Sequence, residues 1–135
     1  MVNLLQVKDL RVTFNLPDGK LEAVRGVNFA VRTGRTLALV GESGSGKSVI
    51  SQAIMGILPK TAQVSGGEIL FRDPAAPDHV TDIAKLPPNS ADMRALRGSR
   101  ISIIFQEPMT SLSPVHTIGN QIGEALHLHR DIAVA

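Results

Sequence analysis

The sequence predicts an α/β fold in which an antiparallel β-layer precedes a strand, a glycine-rich loop and a helix. Three observations predict it. Leu10, Val12 and Phe14 alternate with Arg11 and Thr13, and Val27, Phe29 and Val31 alternate again, the period of half-buried strands. Thr36-Leu37-Ala38-Leu39-Val40 is an unbroken apolar stretch of strand length, as a parallel sheet covered by helices requires. Beyond the loop, Val49, Ile50, Ala53, Ile54, Ile57 and Leu58 recur at three- and four-residue intervals, the face of an amphipathic helix.

In chain order, residues 4–31 read as two or three antiparallel strands with a turn at Pro17-Asp18-Gly19, where Pro presets φ and Gly tolerates positive φ. Thr33-Gly34-Arg35 then punctuates the chain before the apolar strand. The helix after the loop is expected to stop at Pro59. Ser65-Gly66-Gly67 reads as a turn into a short strand, Glu68-Ile69-Leu70-Phe71. Residues 73–90, with Pro74, Pro77, Pro87 and Pro88, read as a loop carrying no chemistry. A short helix from Ser90 to Leu96 leads into a buried strand, Ile101-Ser102-Ile103-Ile104-Phe105. A polar loop from Gln106 to Pro114 follows, then a helix near Thr117 with Ile118, Ile122, Ala125 and Leu126 on one side.

Composition narrows the class. A chain of 135 residues with 43% hydrophobic and 19% charged residues suits one globular domain. With four Phe, no Trp and no Tyr, its core must be aliphatic. The net charge of +2 is spread along the chain, so there is no electrostatic footprint for nucleic acid. Arg94, Arg97 and Arg100 read as a solvated helical stripe. The absence of Cys excludes disulfides and thiolate zinc sites. His79, His116, His127 and His129 lack metal-ligand spacing and read as surface residues. No apolar run approaches the roughly 20 residues of a membrane span, so a cytoplasmic chain is expected unless a partner holds it at a membrane.

The chemistry lies in Gly41-Glu42-Ser43-Gly44-Ser45-Gly46-Lys47-Ser48, which matches G-x-x-x-x-G-K-[ST] between an apolar strand and a helix. Gly41, Gly44 and Gly46 let the backbone wrap a phosphate and turn its N–H groups inward. The helix beginning near Lys47 adds unpaired first-turn amides, those of Ser48 and Val49 among them, and the positive end of its dipole. Lys47 supplies a cation for the β- and γ-phosphates of ATP, and the Ser48 hydroxyl is placed to ligate Mg²⁺. The dinucleotide fingerprint G-x-G-x-x-G competes poorly: Gly44 and Gly46 fit it, but Val49 takes the third glycine's place.

Three stretches together resemble the ATP-binding subunits of ABC transporters, in particular the oligopeptide/dipeptide import class. They are Val24-Arg25-Gly26-Val27-Asn28-Phe29 with the glycine loop, Ser65-Gly66-Gly67-Glu68-Ile69-Leu70-Phe71, and Phe105-Gln106-Glu107-Pro108-Met109-Thr110-Ser111-Leu112-Ser113-Pro114. The resemblance implies a P-loop NTPase core of the ABC type, with an N-terminal antiparallel β-subdomain over about 1–32 and the loop strand and helix over 36–58. It further implies a Q-loop region over 101–118 and the start of a helical subdomain over 117–135. Gln106 would reach Mg²⁺ and the attacking water, and Lys47 would serve catalysis beside it. Phe14 falls where the family stacks an aromatic on adenine, although a Phe on the apolar side of a strand also suits the core. The implied partners are ATP, transmembrane permease subunits and a second ATP-binding subunit, homo- or heterodimeric. The implied place is the cytoplasmic side of the membrane, as a peripheral subunit.

The family's pattern continues with a Leu-Ser-Gly-Gly-Gln signature, a strand ending in Asp-Glu and a switch histidine, none of which follows Gln106 here. The chain therefore reads as the truncated, N-terminal part of a longer subunit. ATPase activity is implied for that parent, while this chain alone has no recognisable base. In the family's sheet the neighbours of residues 36–40 come from later sequence, so marginal stability and weak nucleotide binding are expected of the isolated chain. Two rivals stay open: a small P-loop kinase, and a nucleotide-binding fragment that transports nothing.

Overall fold

The computed structural model describes residues 2–42 and 44–130. Its centre is a four-stranded antiparallel sheet in the order β2-β1-β3-β4. β1 (Asn3–Leu16) and β2 (Gly19–Arg32) form a long hairpin, and β3 (Ala62–Arg72) pairs with the other edge of β1. β4 (Val80–Asp82) closes that side against β3. Register in β1 is broken at Asp9, which takes φ 45° and donates its N–H to Asn28 Oδ1 at 2.9 Å. Without this bulge Val7 and Leu10 would face opposite sides of the sheet. With it, Val7, Leu10 and Val12 all join one core with Val24, Ile69 and Phe71.

α1 (Lys47–Met55) packs on this layer through Ile50 and Ala53, and the core is completed by Ile83 and Met93. Met93 belongs to α2 (Ala91–Leu96), whose N-cap Ser90 accepts from Met93 N–H at 3.2 Å. α3 (Ile118–His129) starts as the sequence suggests, with Thr117 Oγ1 accepting from Asn120 N–H at 3.2 Å, but buries no residue.

Several sequence expectations need correction. Residues 36–40 form no strand and are exposed, Val40 to 93%. Residues 101–105 contribute only one isolated bridge, Ile101 to Arg97, and Ile104 is 91% exposed. The reason is shared. A strand exists only through a partner for its N–H and C=O groups, and among the described residues no neighbouring strand pairs with either segment beyond the Ile101 bridge. The parallel half of the α/β fold is therefore not formed among the described residues, while the antiparallel half extends beyond residue 32 to include β3 and β4.

Ser65, Gly66 and Gly67 are not a turn but lie inside β3, where Gly66 pairs with Arg11 and Gly67 sits beside the Asp9 bulge. Residues 73–90 are not wholly loop. They carry β4 and a short 3₁₀ turn, Ile83–Lys85, anchored by the buried side chain of Ile83. α1 ends at Met55, before Pro59, because Gly56 adopts φ 65° and its N–H turns back to Ala53 O. The helical region expected over 117–135 is α3 as far as His129, and its residues 131–135 lie outside the described residues.

Candidate functional site

The loop after residue 40 leads into α1 without any side-chain cap: Gly46 is the N-cap and the first helical turn carries no acidic residue. The first helical hydrogen bond runs from Ile50 N–H to Gly46 O at 3.0 Å. The N–H groups of Lys47, Ser48 and Val49 therefore have no acceptor within the helix and point out of its positive end. Gly46 holds φ 96°, and a Cβ there would lie 3.2 Å from the Ala23 carbonyl oxygen of β2. Gly44 is also left-handed, at φ 81°. Only glycine takes this path at both points without strain.

The loop is tied together from inside. Ser45 N–H donates to Glu42 O at 3.1 Å, while Ser43 lies outside the described residues. The Lys47 ammonium donates to the same Glu42 oxygen at 2.8 Å, to Ser45 Oγ at 3.1 Å and to Gly41 O. A Cβ on Gly41 would lie 2.6 Å from Ser45 Oγ, so the Ser45 hydroxyl would have to rotate away from Lys47 to admit it. These acceptors hold the ammonium at the mouth of the loop with a full set of donors engaged. An anion carrying several oxygens competes well with exposed carbonyls for such a cation.

Loop and β-layer enclose a cleft of about 850 Å³, ample for a nucleotide. One wall is Gly44 to Val49; the other is β2, through Leu21, Ala23, Val24, Arg25 and Val27. Gln106 lines the same cleft, so the structure brings together two sequence motifs 58 residues apart, as counted from Ser48. Phe14 is placed differently. It lies in β1, paired with Leu21 on one side and Ala62 on the other, and packs partly buried against the core. It stands one strand behind Leu21, the residue that reaches the cleft. The β2 wall escaped sequence reasoning, because its residues read as an ordinary strand face and nothing in their spacing reports what lies opposite.

The residues suit a triphosphate with a hard cation. Bare amides at a helix start, glycines that a Cβ would obstruct, one ammonium and the exposed Ser48 hydroxyl are the donor set such a ligand needs. One carboxylate lines the cleft, that of Glu22, and it is paired with Arg11 Nη1 at 3.1 Å. Asp9 and Glu22 together raise the Arg11 pKa above its ordinary value, chiefly through hydrogen bonds from the guanidinium.

Arg97 departs from its reading as part of a solvated stripe. α2 ends at Leu96, and the partly buried Arg97 side chain turns inward to the carbonyls of Met55 and Gly56. Arg100 pairs with Asp73 at 3.1 Å, and only Arg94 lies on α2 itself.

A family model described as "ABC transporter" matches residues 24–134. The chain is 46% identical over 134 residues to the dipeptide transport ATP-binding protein DppD of Bacillus subtilis, covering 98% of this chain and 37% of that protein. It is 46% identical over 132 residues to the oligopeptide transport ATP-binding protein OppD of Escherichia coli, covering 98% of this chain and 36% of that one. The chain thus spans little more than a third of the length of these relatives. Among the described residues no helix is long and apolar enough to cross a membrane.

Proposed function

The chain belongs to the ABC transporter family, and we propose that it is the Mg-ATP-binding part of a subunit that powers import of di- or oligopeptides. The observation that carries this reading is the single cleft holding the bare start of α1, Lys47 and Gln106. The peptide solute rests on the printed names of relatives such as DppD and OppD.

Each residue has a physical task in this reading. The amides of Gly44, Gly46, Lys47, Ser48 and Val49 bind phosphate oxygens, and Lys47 exchanges its contacts to Gly41 O and Glu42 O for the β- and γ-phosphates. Ser48 Oγ holds Mg²⁺, which when bound offsets the phosphates' negative charge. The Gln106 amide both donates and accepts, which suits contact with Mg²⁺ and the γ-phosphate together. Leu21 and Val27 offer an apolar wall to the rest of the nucleotide. In the whole subunit, a second ATP-binding subunit completes the site, and permease subunits hold the pair at the cytoplasmic face of the membrane.

A second reading applies to the 135 residues alone: nucleotide binding without hydrolysis. The cleft's one carboxylate, on Glu22, is engaged with Arg11, which leaves no free base beside Gln106 among the lining residues. Titration of Mg-ATP into wild type and Lys47→Ala tests the shared core of both readings. The wild type is expected to bind and the variant to lose most affinity; equal affinities would show that the loop is not the site.

A further inference from the structure

We propose that Arg97 is a positioning residue that locks the helix behind the phosphate loop to the segment carrying Gln106, and so sets the preference for ATP over ADP. The inference rests on the nucleotide reading above. α1 presents Lys47 at one end and Met55 at the other. At the far end Arg97 Nε donates to Met55 O at 2.8 Å, and Nη2 donates to Gly56 O at 3.0 Å and to Pro88 O. A planar, always-charged fork fixes direction as well as distance, and a cation here also complements the negative end of the α1 dipole. Gly56 permits the approach: a Cβ there would lie 3.1 Å from Arg97 Nη2 and 3.1 Å from Met93 Sδ.

The other end of the lock is equally fixed. Arg97 N–H donates to Met93 O at 3.2 Å, and Met93 is buried in the core. Gly98 N–H then donates to Ile101 O at 2.8 Å, and Ile101 N–H to Leu96 O at 3.0 Å. This closed turn is the root from which residues 102–106 run to the cleft. One guanidinium therefore joins the back of the helix whose front binds phosphate to the base of the segment ending in Gln106. Removing it frees α1 to tilt relative to Gln106. ADP, held by the loop alone, is little affected, whereas ATP needs loop and Gln106 in register.

The test is Mg-ATP and Mg-ADP titration of the 135-residue chain and of Arg97→Met, Arg97→Lys, Gln106→Ala and Arg97→Met/Gln106→Ala. Wild type is expected to prefer ATP. Arg97→Met should cut the ATP-to-ADP affinity ratio about tenfold, as expected for a misaligned contact, while ADP affinity stays within about threefold. The double variant should match Gln106→Ala, because coupled residues are non-additive. Arg97→Lys keeps the charge but not the fork, and should restore the ratio only in part. It also serves the same comparison if Arg97→Met does not fold. Equal loss of both nucleotides, an unchanged ratio, or a wild type without preference would overturn the assignment. If Lys47→Ala binds ATP normally, the nucleotide reading itself fails. If Lys47→Ala loses binding while the Arg97 variants keep the wild-type ratio, Arg97 alone is misassigned.

Discussion

The Lys47 ammonium and the Glu42 carbonyl oxygen lie 2.8 Å apart across the glycine loop, and Ser45 N–H donates to the same oxygen. The cation thus sits where an incoming phosphate can claim it, held only by exposed groups of its own loop. Hydrogen bonds to charged groups contribute about 1.5–3 kcal/mol each. Lys47→Met is therefore expected to weaken ATP binding by roughly tenfold or more. In the absence of nucleotide its unfolding free energy should change by less than about 0.5 kcal/mol, because the acceptors it leaves are exposed to water. Calorimetric titration and urea melts read the two effects separately.

Gly44 and Gly46 should differ in their tolerance of alanine. Both have positive φ, but a Cβ on Gly44 meets nothing within 4 Å, whereas one on Gly46 crowds Ala23 O at 3.2 Å. Gly44→Ala is expected to cost about 1–2 kcal/mol from backbone strain alone. Gly46→Ala should cost more, because α1 must also shift away from β2. Urea unfolding of the two variants checks the order.

The two hydroxyl caps should also behave differently. Ser90 caps α2, which carries the buried Met93, so Ser90→Ala should lower global stability by about 1 kcal/mol. Thr117 caps α3, which buries nothing. Thr117→Ala should instead speed amide exchange within residues 118–129 while leaving the cooperative melt nearly unchanged. Hydrogen exchange beside a thermal melt distinguishes these outcomes.

Residues 36–40 present apolar side chains to solvent, with Val40 the most exposed of them. Val40→Lys is expected to reduce light scattering at high protein concentration and to change stability by no more than about 0.5 kcal/mol. A loss of several kcal/mol would instead show that the segment is a buried strand in solution.

What the sequence could show depended on how local each cause was. The loop was legible because its glycines, Lys47 and Ser48 form one short contiguous motif ahead of a helix. The start of α3 near Thr117 and the β1–β2 hairpin were legible because apolar periodicity and turn chemistry act over a few residues. The strands at 36–40 and 101–105 were misread because an apolar run states a preference for burial without naming the partner that provides it. Arg97 was hidden by its spacing from Arg94 and Arg100, which imitates a helical face although α2 has already ended at Leu96. Gly66 and Gly67 look like a turn in isolation, and their place inside β3 follows from a bulge at Asp9, more than fifty residues earlier. The β2 wall of the cleft was equally invisible, being defined only by what folds opposite it.

The claim at the centre of this account is that unpaired main-chain amides at the start of α1 bind a triphosphate. Amide chemical shifts followed by ¹⁵N NMR during Mg-ATP titration test it residue by residue. The account predicts that Gly44, Gly46, Lys47, Ser48 and Val49 move most, with Gln106 responding to ATP more than to ADP. Shifts confined to other parts of the chain, with these five amides unmoved at saturation, would contradict it.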